Sequence, residues 1–129
     1  MNADPHSRPT ILVAEDETLL RKMLFYRLQK EGYEVVTASD GKQALECLQN
    51  SNFDLIITDL MMPYHNGLEI IEQAKKISAD LPVIVLSASG QEANVLKAFS
   101  LGADDFTVKP FNPNEFLIRV KKHLRHSPV

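Results

Sequence analysis

Short apolar runs alternate along the chain with longer segments in which apolar residues recur every three or four positions. The short runs lack the apolar–polar alternation of a half-exposed strand, so they predict strands that are covered on both faces. The longer segments have the spacing of helices with one buried side. The predicted strands span 10–14, 34–38, 55–58, 83–86 and 105–108.

A helix is predicted after each strand, and two of the helix starts carry strong capping patterns. Asp40 is followed three residues later by Gln43, and Asn112 by Glu115, which is the spacing of a capping box. The third helix is predicted over 67–77 and the fourth over about 91–101. The apolar side of the fourth helix is expected to consist of Val95, Leu96 and Phe99.

Five strands that alternate strictly with five helices predict an α/β fold. Its sheet should be parallel and doubly wound, with right-handed crossovers and helices on both faces. We adopt the flavodoxin-like strand order 2-1-3-4-5, which is known for five-stranded sheets of this size, without deriving it. One domain is expected over 9–125, between a flexible tail at 1–8 and a short tail or start of a linker at 126–129.

Composition excludes several classes of function. The chain is 44% hydrophobic and 24% charged with a net charge of −3, so it has no basic field and should not bind nucleic acid directly. The single cysteine, Cys47, allows no intramolecular disulfide. No apolar stretch approaches the roughly 20 residues of a membrane span, and the N-terminus lacks a signal peptide pattern. We therefore expect a cytoplasmic protein without membrane contact.

Polar side chains stand where four of the predicted strands end. Glu15 and Asp16 follow the first strand, Asp59 ends the third, Ser87 follows the fourth and Lys109 the fifth. Ligands of open parallel sheets bind outside the carboxyl ends of the strands, so these side chains should converge. In the order 2-1-3-4-5 the first and third strands are neighbours, which would bring Asp16 next to Asp59.

Three carboxylates beside one ammonium leave a local charge of about −2, which a divalent cation would offset. Carboxylate oxygens without histidine or cysteine favour Mg²⁺ over Ca²⁺ or Zn²⁺. Mg²⁺ held by one or two carboxylates keeps positions open for phosphate oxygens, and a carboxylate can itself become an aspartyl phosphate. Lys109 and Ser87 would then supply a positive charge and a hydroxyl donor for the phosphoryl oxygens.

Several motifs follow one another in a characteristic order. They are Glu15-Asp16, Asp59-Leu60-Met61-Met62-Pro63 with Gly67, Ser87-Ala88, Gly102-Ala103-Asp104-Asp105-Phe106 and Lys109-Pro110-Phe111. Together they resemble the receiver domain of two-component response regulators, the CheY-like superfamily, over nearly the whole chain from Ile11 to Leu124. The sequence departs from the commoner family pattern with Glu15 for Asp, Ser87 for Thr and Phe106 for Tyr.

The resemblance implies a phosphoprotein of a bacterial-type phosphorelay. Asp59 would accept a phosphoryl group, in a Mg²⁺-dependent step, from a sensor histidine kinase or a phosphotransfer protein. Asp16, Asp59 and the backbone carbonyl of Met61 would ligate Mg²⁺, and Glu15 would contribute directly or through water. Lys109 would bind the phosphoryl oxygens.

The resemblance also implies a conformational switch. Ser87 would move to hydrogen-bond the phosphoryl group, and Phe106 would swing inward, here by ring burial alone because it has no hydroxyl. The surface of helix four, strand five and helix five would then control an output domain or downstream protein, and phosphorylation would favour a homodimer. The Lys109–Pro110 peptide bond is expected to be cis.

Two other functions fit part of the pattern. An aspartyl-phosphate phosphohydrolase would carry a second acid two residues after its nucleophile, where this chain has Met61. A receiver-shaped interaction module that is never phosphorylated would not need Asp16, Asp59, Ser87 and Lys109 together. A nucleotide site is disfavoured because the sequence has no glycine-rich phosphate loop. We therefore expect a signalling domain that catalyses only its own phosphorylation and dephosphorylation.

Overall fold

The computed structural model describes residues 8–124, and these form five strands and five helices in strict alternation. The tail expected at 1–8, apart from Arg8, and the segment 126–129 lie outside the described residues. The strands are β1 (Thr10–Ala14), β2 (Glu34–Ala38), β3 (Leu55–Asp59), β4 (Val83–Ser87) and β5 (Asp105–Val108). The helices are α1 (Thr18–Lys30), α2 (Gly41–Asn50), α3 (Gly67–Ile77), α4 (Glu92–Ser100) and α5 (Pro113–Leu124). None of these helices combines the length and apolar character that a bilayer span requires.

All five strands are parallel and lie in the order β2-β1-β3-β4-β5, which confirms the expected α/β topology. β3 and β4 are buried at every position. Continuous burial explains why these strands show apolar runs in place of alternation, because helices cover both faces of the sheet. The carboxyl ends of β1, β3, β4 and β5 meet at one edge, here called the carboxyl edge.

The sheet separates two hydrophobic cores. Ile56 and Val85 point to the face covered by α2, α3 and α4, whereas Ile57 and Ile84 point to the face covered by α1 and α5. Successive side chains of a strand point to opposite faces, so each buried strand contributes to both cores. The sheet is thereby fixed on both sides, which holds the strand ends in place.

The expected buried side of α4 is wrong in part. Val95 is buried together with Ala98, but Leu96 is 71% exposed and Phe99 is also exposed. Consecutive helical residues lie about 100° apart around the axis, so Leu96 cannot share the inward direction of Val95. Apolar side chains are consequently left on the outer surface of this helix.

The predicted helix caps are present, with one difference. Asp40 accepts the N–H of Gln43 at 2.8 Å, and Asn112 accepts the N–H of Glu115 at 3.2 Å. The Gln43 side chain accepts the N–H of Ser39 at 2.8 Å, one residue before the cap, so the reciprocal bond of the capping box is displaced. The start of α2 is therefore capped by Asp40, which directly precedes the helix.

Candidate functional site

The carboxyl edge brings the acids and the lysine of the predicted site together. The Nζ atom of Lys109 lies 2.7 Å from Oδ2 of Asp59 and 2.8 Å from Oε1 of Glu15. Carboxylate oxygens of Glu15, Asp16 and Asp59 all lie within 4.8 Å of one another. Side chains that follow three different strands thus form one compact cluster of charge.

Glu15 is fully buried, whereas Asp16 beside it is exposed. Burial raises the pKa of Glu15 to about 7, and the negative charge of Asp59 raises it as well. Hydrogen bonds from Lys109 and from the N–H of Glu17, which lies 3.0 Å from Oε2 of Glu15, oppose this shift. Glu15 therefore exchanges its proton near neutral pH, unlike an ordinary glutamate.

Lys109 is held by its backbone as well as by its ammonium group. Its N–H donates to the Ser87 carbonyl at 2.8 Å, and the Lys109–Pro110 peptide bond is cis, as the resemblance implies. Burial alone would lower the pKa of Lys109, but hydrogen bonds and attraction to Asp59 and Glu15 raise it. The ammonium group consequently stays charged between the two acids.

Ser87 lies at the end of β4 and is almost fully buried. Its Oγ atom has no hydrogen-bond partner among the described residues. Leaving a buried hydroxyl without a partner is unfavourable, and such groups are rare in folded proteins. This hydroxyl is therefore available to a ligand that binds at the carboxyl edge.

Residues 60–66, here called the β3–α3 loop, carry Met61 directly after the cluster. The N–H of Leu60 donates to the Leu86 carbonyl at 3.0 Å, and the N–H of Gly67 donates to the Leu60 carbonyl at 2.8 Å. A Cβ atom at Gly67 would overlap the backbone carbonyl of Asp59. Glycine at this position thus allows α3 to begin directly against the end of β3.

Sequence reasoning missed Arg21, which supports the acidic pair from α1. Its Nη1 atom donates to the backbone carbonyls of Glu15 at 2.9 Å and Asp16 at 3.3 Å. These bonds hold the backbone between β1 and α1, which carries the carboxylates of Glu15 and Asp16. The only indication in the sequence is a basic residue five positions after Asp16, which an ordinary exposed helix side would also show.

The donor set fits a hard divalent cation. The candidate side-chain ligands are all carboxylate oxygens, the Lys109 ammonium group pairs with two of the three acids, and the Ser87 hydroxyl at the end of β4 has no partner among the described residues. Such oxygen-only sites with a negative local charge suit Mg²⁺. The cluster can therefore hold a metal ion and still present polar groups to a second ligand.

Residues 11–121 match the family model of the response regulator receiver domain. The chain belongs to this family. Receiver domains are signalling modules of two-component systems, and they interact with histidine kinases and output domains. The fold and the motif order that the sequence predicted are those of a receiver domain.

Relatives of known sequence and structure agree with this assignment. The receiver domain is 40% identical over 124 residues to the transcriptional regulatory protein ResD of Bacillus subtilis (strain 168), covering 96% of this chain and 51% of ResD. It is 40% identical over 119 residues to the alkaline phosphatase synthesis transcriptional regulatory protein PhoP of the same strain, covering 92% of this chain and 50% of PhoP. The chain therefore spans about half the length of the curated relatives it matches.

A solved structure shows the same fold. The response regulator receiver domain protein (CheY-like) from Methanospirillum hungatei JF-1 superposes with a TM-score of 0.88 at 29% identity. The match covers 92% of this chain and 95% of that chain. The whole described fold, and not only its central sheet, is thus shared.

Proposed function

We propose that the receiver domain is phosphorylated on Asp59 in a Mg²⁺-dependent reaction by a sensor histidine kinase or a phosphotransfer protein. The observation that carries this proposal is the Lys109 ammonium group, which bridges the buried acids Asp59 and Glu15 at 2.7 and 2.8 Å. A phosphoacceptor needs a carboxylate nucleophile beside fixed positive charge. Both are found at the carboxyl edge.

In the proposed reaction, a carboxylate oxygen of Asp59 attacks the phosphorus atom of a phosphohistidine. The phosphorus–nitrogen bond breaks, the imidazole leaves, and Asp59 becomes an acyl phosphate. Lys109 pairs with the negative oxygens of the transferred group. Ser87 donates its unpartnered hydroxyl to another of these oxygens, which satisfies a buried polar atom.

Four groups would hold Mg²⁺ in this proposal. Asp16 and Asp59 bind through carboxylate oxygens, Met61 binds through its backbone carbonyl, and Glu15 contributes directly or through a water molecule. When bound, the ion neutralises charge on the phosphoryl oxygens. Burial raises the pKa of Glu15 to about 7, so binding of a cation beside this carboxyl would be accompanied by release of its proton near neutral pH.

The domain itself acts as a signalling receiver that catalyses only its own phosphorylation and dephosphorylation. Met61, two residues after Asp59, carries no acid and its side chain is largely exposed. A phosphohydrolase would need a proton donor at that position to assist a leaving group. The site therefore favours storage of a phosphoryl group over turnover of a free substrate.

A groove beside Phe106 supports a conformational switch. The groove has a volume of about 340 Å³ between α4 and β5, and its lining includes Ser87, Phe99 and Val108. Phe106 is 37% exposed, and its ring meets the Phe99 ring edge to face, with 5.8 Å between centroids. Movement of Ser87 toward the phosphoryl group would leave room for the Phe106 ring to turn inward.

The same surface is proposed to bind the output domain or downstream protein and to form a homodimer on phosphorylation. Leu96 of α4 and Ile118 of α5 are both largely exposed, and Leu96 lines the same groove as Phe106, so a change in Phe106 would alter its surroundings. Sedimentation of the phosphorylated protein tests the dimer. A protein that still sediments as a monomer after phosphorylation would contradict it.

Intact mass spectrometry after incubation with acetyl phosphate tests the proposed phosphorylation. We expect one phosphoryl adduct that requires Mg²⁺ and is absent from Asp59→Asn. The matched control Asp80→Asn changes an exposed acid after α3 and should retain the adduct. A wild-type protein without an adduct would overturn the proposal in favour of a receiver-shaped interaction module that is never phosphorylated.

A further inference from the structure

The first residue of α2 lies against the β3–α3 loop. Gly41 is buried, and its N–H donates to the Pro63 carbonyl at 3.1 Å. A Cβ atom at Gly41 would overlap the carbonyl oxygen of His65 and would lie 2.6 Å from its carbonyl carbon. The helix and the loop therefore contact each other backbone to backbone, with no room for a side chain.

Space, and not backbone conformation, requires glycine at this position. Gly32, Gly90 and Gly102 have positive φ angles among the described residues, but Gly41 does not. Glycine is a poor helix former, and Asp40 already supplies the N-terminal cap. The close approach to the β3–α3 loop is thus the feature that a side chain at position 41 would remove.

The middle of the β3–α3 loop is held from outside by this contact. The N–H and the carbonyl of Leu60 fix the start of the loop and its junction with α3. In the middle, the Pro63 carbonyl accepts the N–H of His65 from within the loop and the N–H of Gly41 from outside it. The next residue, Tyr64, has a φ of 73°, which an L-residue keeps only when its surroundings impose it. A displaced Pro63 would therefore change the path of the backbone that carries Met61.

We propose that Gly41 is a positioning residue for Mg²⁺ binding. By allowing α2 to press directly on the β3–α3 loop, it fixes the backbone that follows Asp59 and includes the Met61 carbonyl. Groups that orient metal ligands from outside the coordination sphere commonly change metal affinity by about ten-fold or more. This inference rests on the proposed function, because it takes Asp59 and Met61 as ligands.

Titration of ¹⁵N-labelled protein with MgCl₂, followed by amide chemical shifts, tests the inference without any phosphodonor. We expect Gly41→Ala to bind Mg²⁺ about ten-fold more weakly than the wild type. Its amide shifts before Mg²⁺ is added should differ from the wild type mainly in the β3–α3 loop.

Two control variants on α2 separate positioning from loss of stability. Lys42→Ala removes an exposed side chain next to Gly41, and Leu48→Ala removes a buried side chain from the core side of the same helix. Leu48→Ala should lower the melting temperature, yet both controls should bind Mg²⁺ as tightly as the wild type. A loss of affinity in Leu48→Ala equal to that in Gly41→Ala would overturn the inference.

The outcomes distinguish this inference from the proposed function. If Gly41→Ala binds Mg²⁺ as tightly as the wild type, Gly41 has no positioning role and the proposed function stands. If Mg²⁺ causes no shifts at Asp16 and Asp59 of the wild type, the proposed function fails and the inference fails with it.

Hydrogen exchange of the wild type decides the question even if Gly41→Ala does not fold. Coupling between two sites is reciprocal, so a contact that favours Mg²⁺ binding must itself be stabilised by Mg²⁺. The Gly41 N–H should exchange more slowly at saturating Mg²⁺. The N–H of Ser51, which donates to the Cys47 carbonyl at the other end of α2, should exchange at the same rate with and without Mg²⁺. Unchanged exchange at Gly41 would overturn the inference.

Discussion

Glu15 is a buried acid whose proton is linked to the stability of the fold. Its pKa is raised from 4.5 to about 7, so between these values the folded chain keeps a proton that the unfolded chain releases. The free energy of unfolding of the metal-free protein should therefore fall as pH rises through this window. The expected loss is on the order of 1–3 kcal/mol.

Urea unfolding in the presence of a chelator, at several pH values, measures this effect. Glu15→Gln should flatten the fall in stability between pH 4.5 and about 7, since its side chain cannot ionise. Glu72→Gln, which changes an exposed acid of α3, should leave the fall intact. If the free energy of unfolding fell equally steeply with pH in Glu15→Gln and in the wild type, the fall would not be due to Glu15.

Much of the site could be predicted at the level of single residues, because acids and lysine that follow parallel strands must meet at one edge. The sequence presents Glu15 and Asp16 as an equivalent pair, yet one is buried against Lys109 and the other is exposed. No pattern marked Arg21, since its contacts are with backbone carbonyls. Side-chain direction at the end of a strand is set by packing that the sequence does not display.

At the scale of elements, Asp105 of β5 forms ion pairs with two side chains of α5. Its carboxylate lies 2.8 Å from Nη1 of Arg119 and 3.1 Å from Nε2 of His123. Burial would raise the pKa of Asp105, but hydrogen bonds from His123, the Phe106 N–H and Arg119 outweigh it and hold the pKa below its usual value. The ionised carboxylate therefore stabilises the attachment of the helix.

Asp105→Asn should lower the free energy of unfolding by about 1 kcal/mol at neutral pH, because charge-assisted hydrogen bonds are lost. The stabilisation from a lowered pKa is present above the ordinary value of 3.8 and disappears as pH falls through the depressed value. The difference between variant and wild type should accordingly shrink in acid. Urea unfolding of variant and wild type at neutral pH and at a pH below 3.8 measures this difference. A difference in the free energy of unfolding that grows in acid would contradict the prediction.

The bounds of α3 could be predicted from the sequence, but the buried side of α4 could be predicted only in part. The bounds of α3, Gly67–Ile77, agree with the prediction, and Asn66 caps the helix by accepting the N–H groups of Leu68 and Glu69. In α4 the small residue Ala98 faces the core while the larger Leu96 faces outward. An apolar residue of a helix is buried only where another element packs against its side, and the sequence of the helix alone does not show where that happens.

For the molecule as a whole, Mg²⁺ should act as a stabilising ligand. An ion that binds only the folded state at about 100 times its Kd adds about 2.7 kcal/mol to the free energy of unfolding. Thermal unfolding should show a higher melting temperature with MgCl₂ than with KCl of equal ionic strength. Asp16→Asn should lose most of this increase, and an equal increase in that variant would point to a general ionic effect.

The number, type and order along the chain of the strands and helices followed from their strict alternation, but two long-range features did not. The strand order was adopted from flavodoxin-like proteins, because periodicity contains no information on which strands are neighbours. The contact between Gly41 and His65 joins residues that are far apart in the chain, so no local motif could reveal it. Local patterns identify elements, whereas their contacts depend on the assembled sheet.

The path of the chain has a further consequence. β1 begins at Thr10 on the edge opposite Asp59, and α5 runs back to that edge, where Lys121 meets Glu31 at the end of α1 with 2.7 Å between Nζ and Oε1. Both ends of the described chain thus leave from the side away from the acids. An incoming phosphodonor would therefore reach the acids from the side opposite to both ends of the described residues.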